Sequence, residues 1–189
     1  MQIFSKWLLK TAGWTAVVTV EEPKKSVICV APHTSNWDFL IGELSYLALK
    51  RKSSFLIKKS WFIFPLNYVF DAIGGVPVDR SKRTSVTQQM VEEFDRRETF
   101  HLAITPEGTR SLSQKWKMGF YHIAVQANVP IQLAYIDYGK KELAIREVFY
   151  PTGNEEADLL KIQDYYKNIQ ARFPDRFNLS AINRDNNGI

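Results

Sequence analysis

The chain has 189 residues, 45% of them hydrophobic, with 25 Lys and Arg against 20 Asp and Glu and a formal net charge of +5 at pH 7. That length and apolar content fit one domain with a buried core, and with Gly 9 and Pro 8 they exclude collagen, coiled coil and low-complexity disorder. The single cysteine, Cys29, can close no internal disulfide and no zinc or iron–sulfur framework, which reads as a reducing, cytosolic setting.

Residues 2–10 predict an amphipathic helix, because at about 100° per residue Ile3, Phe4, Trp7 and Leu8 share a face that Trp14 extends and Lys6 and Lys10 flank. Tryptophan beside lysine suits a helix lying on a membrane surface, and the same pattern equally suits a helix docked on the core. The first fifteen residues lack the apolar run and cleavage site of a secretion signal, so the protein is expected to stay in the cytoplasm. Strands are predicted at 15–20 and 27–31, the second ending in Pro32-His33. Ser35 or Asn36 then caps a helix reaching about Lys50.

A short strand at 54–57, an aromatic helical stretch at 61–72 and a strand at 75–78 follow. Residues 61–78 are apolar except for Asn67 and Asp71, but Pro65, Gly74, Gly75 and Pro77 cut them into pieces shorter than the roughly 20 residues of a membrane span. They read as core plus a membrane-facing patch. Lys50, Arg51, Lys52, Lys58, Lys59, Arg80, Lys82 and Arg83 outnumber Asp71 and Asp79 in the same region, which suits either an anionic partner or an ordinary solvated surface. The remainder predicts a polar helix at 84–97, a buried strand at 100–104, a helix at 119–128, a hairpin of 131–138 with 143–149, and a helix at 155–173. Beyond Pro174 the composition predicts a poorly ordered tail. Alternating strands and helices predict an α/β single domain, a mostly parallel or mixed central sheet with helices on both faces.

His101 lies in an apolar strand and His122 in a helix, and both read as structural or surface residues. His33 follows a strand's C-terminal end, where α/β sheets present functional groups. Asp38 shares no helical face with it, since five residues advance a helix about 140° past a full turn. The two can meet only if His33 sits in the loop and Asp38 in the first helical turn. The carboxylate then fixes the imidazole tautomer and leaves the second nitrogen as a base. On the residues alone, Asp38 serves equally as a helix cap.

A second group, Thr105-Pro106-Glu107-Gly108-Thr109-Arg110, also follows a buried strand; Gly108 permits a tight turn and Arg110 offers a fork for phosphate or carboxylate. A third, Gly74-Gly75-Val76-Pro77-Val78-Asp79-Arg80, delivers Arg80 to one edge. Taken with His33-x4-Asp38 and Val129-Pro130-Ile131, their order and spacing resemble the glycerophospholipid acyltransferase family, in particular its lysophosphatidic acid acyltransferases, from about Val27 to Ile136.

The resemblance implies a glycerol-3-phosphate acyltransferase-like fold, with the amphipathic helix at 1–14, the acyltransferase domain at 15–174 and the tail at 175–189. It implies transfer of a fatty acyl group from acyl-CoA or acyl carrier protein to a lysophospholipid hydroxyl, with His33 as general base and Asp38 orienting it. Arg80 and Arg110 match positions that hold the acceptor's phosphate. Glu107, Gly108 and Thr109 belong to that pocket's motif, Lys58 and Lys59 add positive charge, and Pro130 belongs to a motif near the substrates. Pro32 stands where many members have Asn, and Thr105 where Phe is usual, departures that point to a different acceptor.

No cofactor or metal is expected, because neither H-E-x-x-H nor a Cys/His cluster occurs. Ser35 lacks the G-x-S-x-G setting of a hydrolase nucleophile. The expected location is peripheral, on the cytoplasmic face of a membrane. The competing reading, a non-catalytic module for anionic membranes or nucleic acid, rests on the basic stretch alone, and no RNA-stacking motif or recognition helix accompanies it.

Overall fold

A computed structural model describes residues 2–79, 81 and 84–181. Helix α1 (Gln2–Thr11) leads into β1 (Thr15–Val18), β2 (Lys25–Ala31), α2 (Asn36–Leu49) and β3 (Ser54–Lys58). Then come α3 (Leu66–Ala72), β4 (Gly75–Val78), α4 (Val86–Arg96) and β5 (Phe100–Ile104). The chain continues through α5 (Gly119–Gln126), β6 (Ile131–Asp137), β7 (Glu142–Phe149) and α6 (Glu155–Tyr166).

The strands form a single 7-stranded sheet in the order β1-β7-β6-β2-β5-β3-β4. Only β6 and β7 pair antiparallel, as the hairpin pattern predicts; every other pair is parallel. The expected mixed α/β sheet is thus the fold. The crossovers set β2, β5, β3 and β6 with their C-terminal ends on one edge, so the loops after β2 and β5 are neighbours.

Strand β2 is central, and Val27, Ile28 and Cys29 are fully buried because both faces of the sheet are covered. Alternate side chains divide between two cores. Val27, Cys29 and Ala31 face a large one with Phe94 of α4, Phe120 of α5 and Tyr166 of α6. Ile28 faces a smaller one with Tyr46 of α2, Ala134 and Ile145. The Tyr166 hydroxyl donates to the Cys29 carbonyl at 2.8 Å, tying α6 to the middle of the sheet.

Three expectations are corrected. The aromatic stretch at 61–72 is a 3-10 turn, Lys59–Trp61, followed by α3, because Pro65 lacks an amide donor and disfavours helix in the residue before it. Helix α6 ends at Tyr166, and Gln170 instead offers its carbonyl to the Tyr138 amide. The tail is packed as far as residue 181: Trp116 Nε1 donates to the Asn178 carbonyl at 3.0 Å, the Ala181 amide donates to Gln163 Oε1 at 2.8 Å, and Ser180 and Ala181 are buried.

Candidate active site

The loop joining β2 to α2 is short and locally determined. Ser35 is the N-cap, extended at φ −147 and ψ 155, and its hydroxyl accepts from the Trp37 amide at 3.2 Å. Asp38, at the third helical position, returns its side chain to the backbone, completing a capping box. Asp38 Oδ2 accepts from the Thr34 and Ser35 amides, each at 2.8 Å. The same oxygen lies 3.2 Å from His33 Nδ1. The two readings of Asp38 that the sequence leaves open are therefore both true: it is cap and histidine partner at once.

His33 is 18% exposed and Asp38 2%. Burial alone would raise the Asp38 pKa, but hydrogen bonds from His33, Tyr138 and the two amides outweigh it and hold the carboxyl below its ordinary value. An ionised Asp38 requires Nδ1 to carry the imidazole hydrogen, which leaves Nε2 as the acceptor. Tyr138 completes the set, donating to Asp38 Oδ1 at 2.7 Å. Burial and that hydrogen bond push the Tyr138 pKa up, so the phenol stays a neutral donor.

Glu107 is only 1% exposed and turns away from solvent. Its Oε1 accepts from the His33 amide at 2.9 Å, while Oε2 is buried with no partner among the described residues. Burial pushes its pKa up to about 7. Glu107 is expected to help bind the acceptor, but the structure places it behind the loop between β2 and α2. There it braces the backbone of His33 from the neighbouring strand's loop. Gly108 makes that geometry, with φ 63 in the left-handed region and its amide donating to the Thr105 carbonyl at 3.1 Å.

A cavity of about 1030 Å³ opens beside this loop. His33, Asp38, Thr105, Gly108, Thr109 and Arg110 are among the residues that line it. Arg110 Nη1 donates to Asn36 Oδ1 at 2.5 Å, which holds the guanidinium over the start of α2. Lys117 adds a second cation to the lining and was not singled out from the sequence, because it lies outside every motif. Lys58 and Lys59, exposed at the C-terminal end of β3, share this edge without lining the cavity, and Lys59 Nζ sits 3.4 Å from Asp79. Arg80 lies outside the described residues.

Pro130 is a further correction. Its carbonyl accepts from the Val27 amide at the start of β6, so it belongs to the opposite edge of the sheet from His33. His101 and His122 have the structural roles expected: His101 Nδ1 pairs with the Ser26 hydroxyl at 2.9 Å and His122 Nε2 with Glu155 at 2.7 Å on the surface. Among the described residues there is no group of His, Cys, Asp and Glu arranged to hold a metal ion.

Known proteins resemble the chain in sequence and in fold. The chain is 32% identical over 153 residues to an uncharacterized acyltransferase of Schizosaccharomyces pombe, covering 74% of this chain and 51% of that protein. It therefore spans about half the length of that relative. It superposes on the crystal structure of the 1-acyl-sn-glycerophosphate acyltransferase PlsC from Thermotoga maritima with a TM-score of 0.59, over 88% of this chain and 75% of that one. At 21% identity this establishes a common fold. The Acyltransferase family model matches residues 16–136, a span that holds the whole sheet up to β6 and the loops carrying His33, Asp38, Glu107 and Arg110. The chain belongs to the acyltransferase family.

Proposed function

We propose that the chain transfers a fatty acyl group from a thioester donor, acyl-CoA or acyl carrier protein, to the hydroxyl of a lysophospholipid such as 1-acylglycerol 3-phosphate. The observation that carries this is the His33–Asp38 pair at 3.2 Å, lining one cavity with the cations Arg110 and Lys117.

Nε2 of His33 takes the proton of the acceptor hydroxyl as its oxygen attacks the thioester carbonyl. The tetrahedral adduct collapses, the carbon–sulfur bond breaks, and the imidazolium returns the proton to the departing thiolate. General-base help of this kind is worth roughly 10²–10⁴-fold. Asp38 holds the ring and stabilises the imidazolium that forms. Arg110 and Lys117, joined by Arg80 on the family pattern, grip the anionic head and fix the hydroxyl against His33. Thr105 lines the cavity where the family usually has Phe, which supports as the second reading the same chemistry on a different lipid acceptor, an amine or a non-phosphate hydroxyl.

The acceptor is a lipid, so the protein works at a membrane surface, on the cytoplasmic side. Among the described residues no helix is long and apolar enough to cross a membrane. Ile3, Phe4 and Trp7 of α1 and Trp61, Phe64 and Tyr68 around α3 are exposed, with Lys58 and Lys59 adjoining the second group. Rings and lysines so placed suit an interfacial position.

The test is release of free thiol from acyl-CoA or acyl carrier protein by the purified chain, with and without lysophosphatidic acid or another lysolipid. Acceptor-dependent release that His33→Ala abolishes is expected. Release by the His33→Ala protein at the original rate overturns the proposal.

A further inference from the structure

The cavity extends beyond His33 and its neighbours. Phe39, Gly42, Glu43 and Tyr46 of α2 line it at the i, i+3, i+4, i+7 spacing of one helix face. In the layer between helix and sheet such a stripe is filled by large apolar side chains. Here the centre of the stripe is a glycine and a carboxylate. A Cβ added to Gly42 would meet no atom within 4 Å. Across from it the sheet contributes Ala103 and Ala134 beside Val30, Ile136 and Leu143. The lining thus extends from His33 and Asp38 along this face of α2 to Tyr46 and Ser53, a channel between the helix and the sheet.

The inner part of this channel is not simply greasy. Glu43 is half-buried and makes no hydrogen bond or ion pair with any described residue. Burial alone acts on its carboxyl and raises its pKa to about 7, so near neutral pH it can donate as well as accept. Tyr46 is 7% exposed, and its hydroxyl is buried with no partner among the described residues. The Tyr46 hydroxyl, buried and unpaired, is costly unless an occupant pairs it, and Glu43, one turn earlier on the same helix face, offers that occupant a second polar contact. At the rise of an α-helix, Glu43 lies about 7.5 Å and Tyr46 about 12 Å along the axis from Asp38. A chain whose thioester sits at His33 meets them at its middle.

Resting on the acyl-transfer reading above, we propose that the channel beneath α2 takes the donor's acyl chain and that Glu43 and Tyr46 select chains bearing a hydroxyl in their middle over saturated chains of equal length. A hydroxylated chain pairs both groups. A saturated chain drives methylenes past them and leaves both without a partner.

The experiment compares a tetradecanoyl thioester with isomers carrying one hydroxyl moved stepwise along the chain, and measures binding of the corresponding free acids in parallel. The unmodified protein should prefer the mid-chain isomers about 10- to 100-fold in kcat/KM and in affinity. Glu43→Leu combined with Tyr46→Phe should reverse that preference toward the saturated chain, while Glu43→Gln, which still donates and accepts, should keep it. Equal use and equal binding of the saturated chain and every isomer by the unmodified protein overturns the proposal, as does a preference that survives in the double variant. If no thioester is turned over, including a short butanoyl donor that ends before Gly42, the acyl-transfer reading fails. The free-acid affinities then still decide the selectivity.

Discussion

Tyr138 and Asp38, 100 residues apart in the chain, meet through a 2.7 Å hydrogen bond that gives Asp38 Oδ1 its partner while His33 and two backbone amides occupy Oδ2. The tyrosine follows the last residue of β6, and β6 lies beside β2, so the two loops at that edge are brought together by strand pairing. The orientation of His33 thus depends on a residue that is distant in sequence and delivered by the neighbouring strand.

Tyr138→Phe removes one donor from a buried carboxylate and leaves the ring in place. A hydrogen bond to a charged group is worth about 1.5–3 kcal/mol, so kcat should fall about tenfold or more with the acceptor KM nearly unchanged. The Asp38 pKa should rise as it loses that donor, moving the acid limb of the kcat–pH profile upward. Steady-state kinetics across pH check both.

Asp38→Asn separates the two duties of the carboxylate. Asparagine keeps an oxygen that can accept from the Thr34 and Ser35 amides but loses the charge, so the fold should persist with a lowered melting temperature. It cannot stabilise the imidazolium or enforce the Nδ1–H tautomer, and kcat should fall roughly 10³–10⁴-fold. Kinetics and thermal melting on the same preparation distinguish this from loss of fold.

Glu107 links stability to pH. Its folded pKa is raised from 4.5 to about 7, so the stability tied to its neutral form is complete below 4.5 and is lost as pH rises through 7. The size is on the order of 3 kcal/mol. Glu43 shifts the same way and is half-exposed, so solvent screens its share. Asp38 acts oppositely, adding stability above its unfolded pKa that is lost in acid as pH falls through its depressed folded value. Urea midpoints should therefore decline between pH 5 and 8, and Glu107→Gln, which still accepts from the His33 amide, should flatten much of that decline.

Arg110→Ala should act on binding. Without the guanidinium held by Asn36, KM for lysophosphatidic acid should rise about tenfold, the worth of one charge-assisted contact. KM for an acceptor lacking phosphate should stay where it was. Initial rates over a range of both acceptors check this.

The readable part of the site is the part encoded locally. Ser35 and Asp38 form a capping box within a few residues, and the same box forces Asp38 back onto His33, so strand, loop and helix start could be placed from the sequence. The Glu107–Arg110 loop follows a buried strand for the same reason. Tyr138 and Lys117 could not be found that way, because their proximity comes from the order and register of strands. Register also explains Pro130: its motif precedes a strand that runs parallel to β2, which puts it one full strand length from His33. The opposite role of Glu107 arises from burial, which spacing does not reveal. The packed segment up to residue 181 was missed because its polar composition is satisfied by Trp116 and Gln163 rather than by water.

The sheet is unevenly upholstered. Helices α4, α5 and α6 fill one face with a large aromatic core, whereas α2 on the other packs in smaller clusters and leaves open space at Gly42. Tightly filled layers resist deformation and loosely filled ones yield. A guest entering beneath α2 is therefore accommodated by the pliant face, while the stiff face keeps β2 and β5, and with them the loops that carry His33 and Glu107, in fixed alignment.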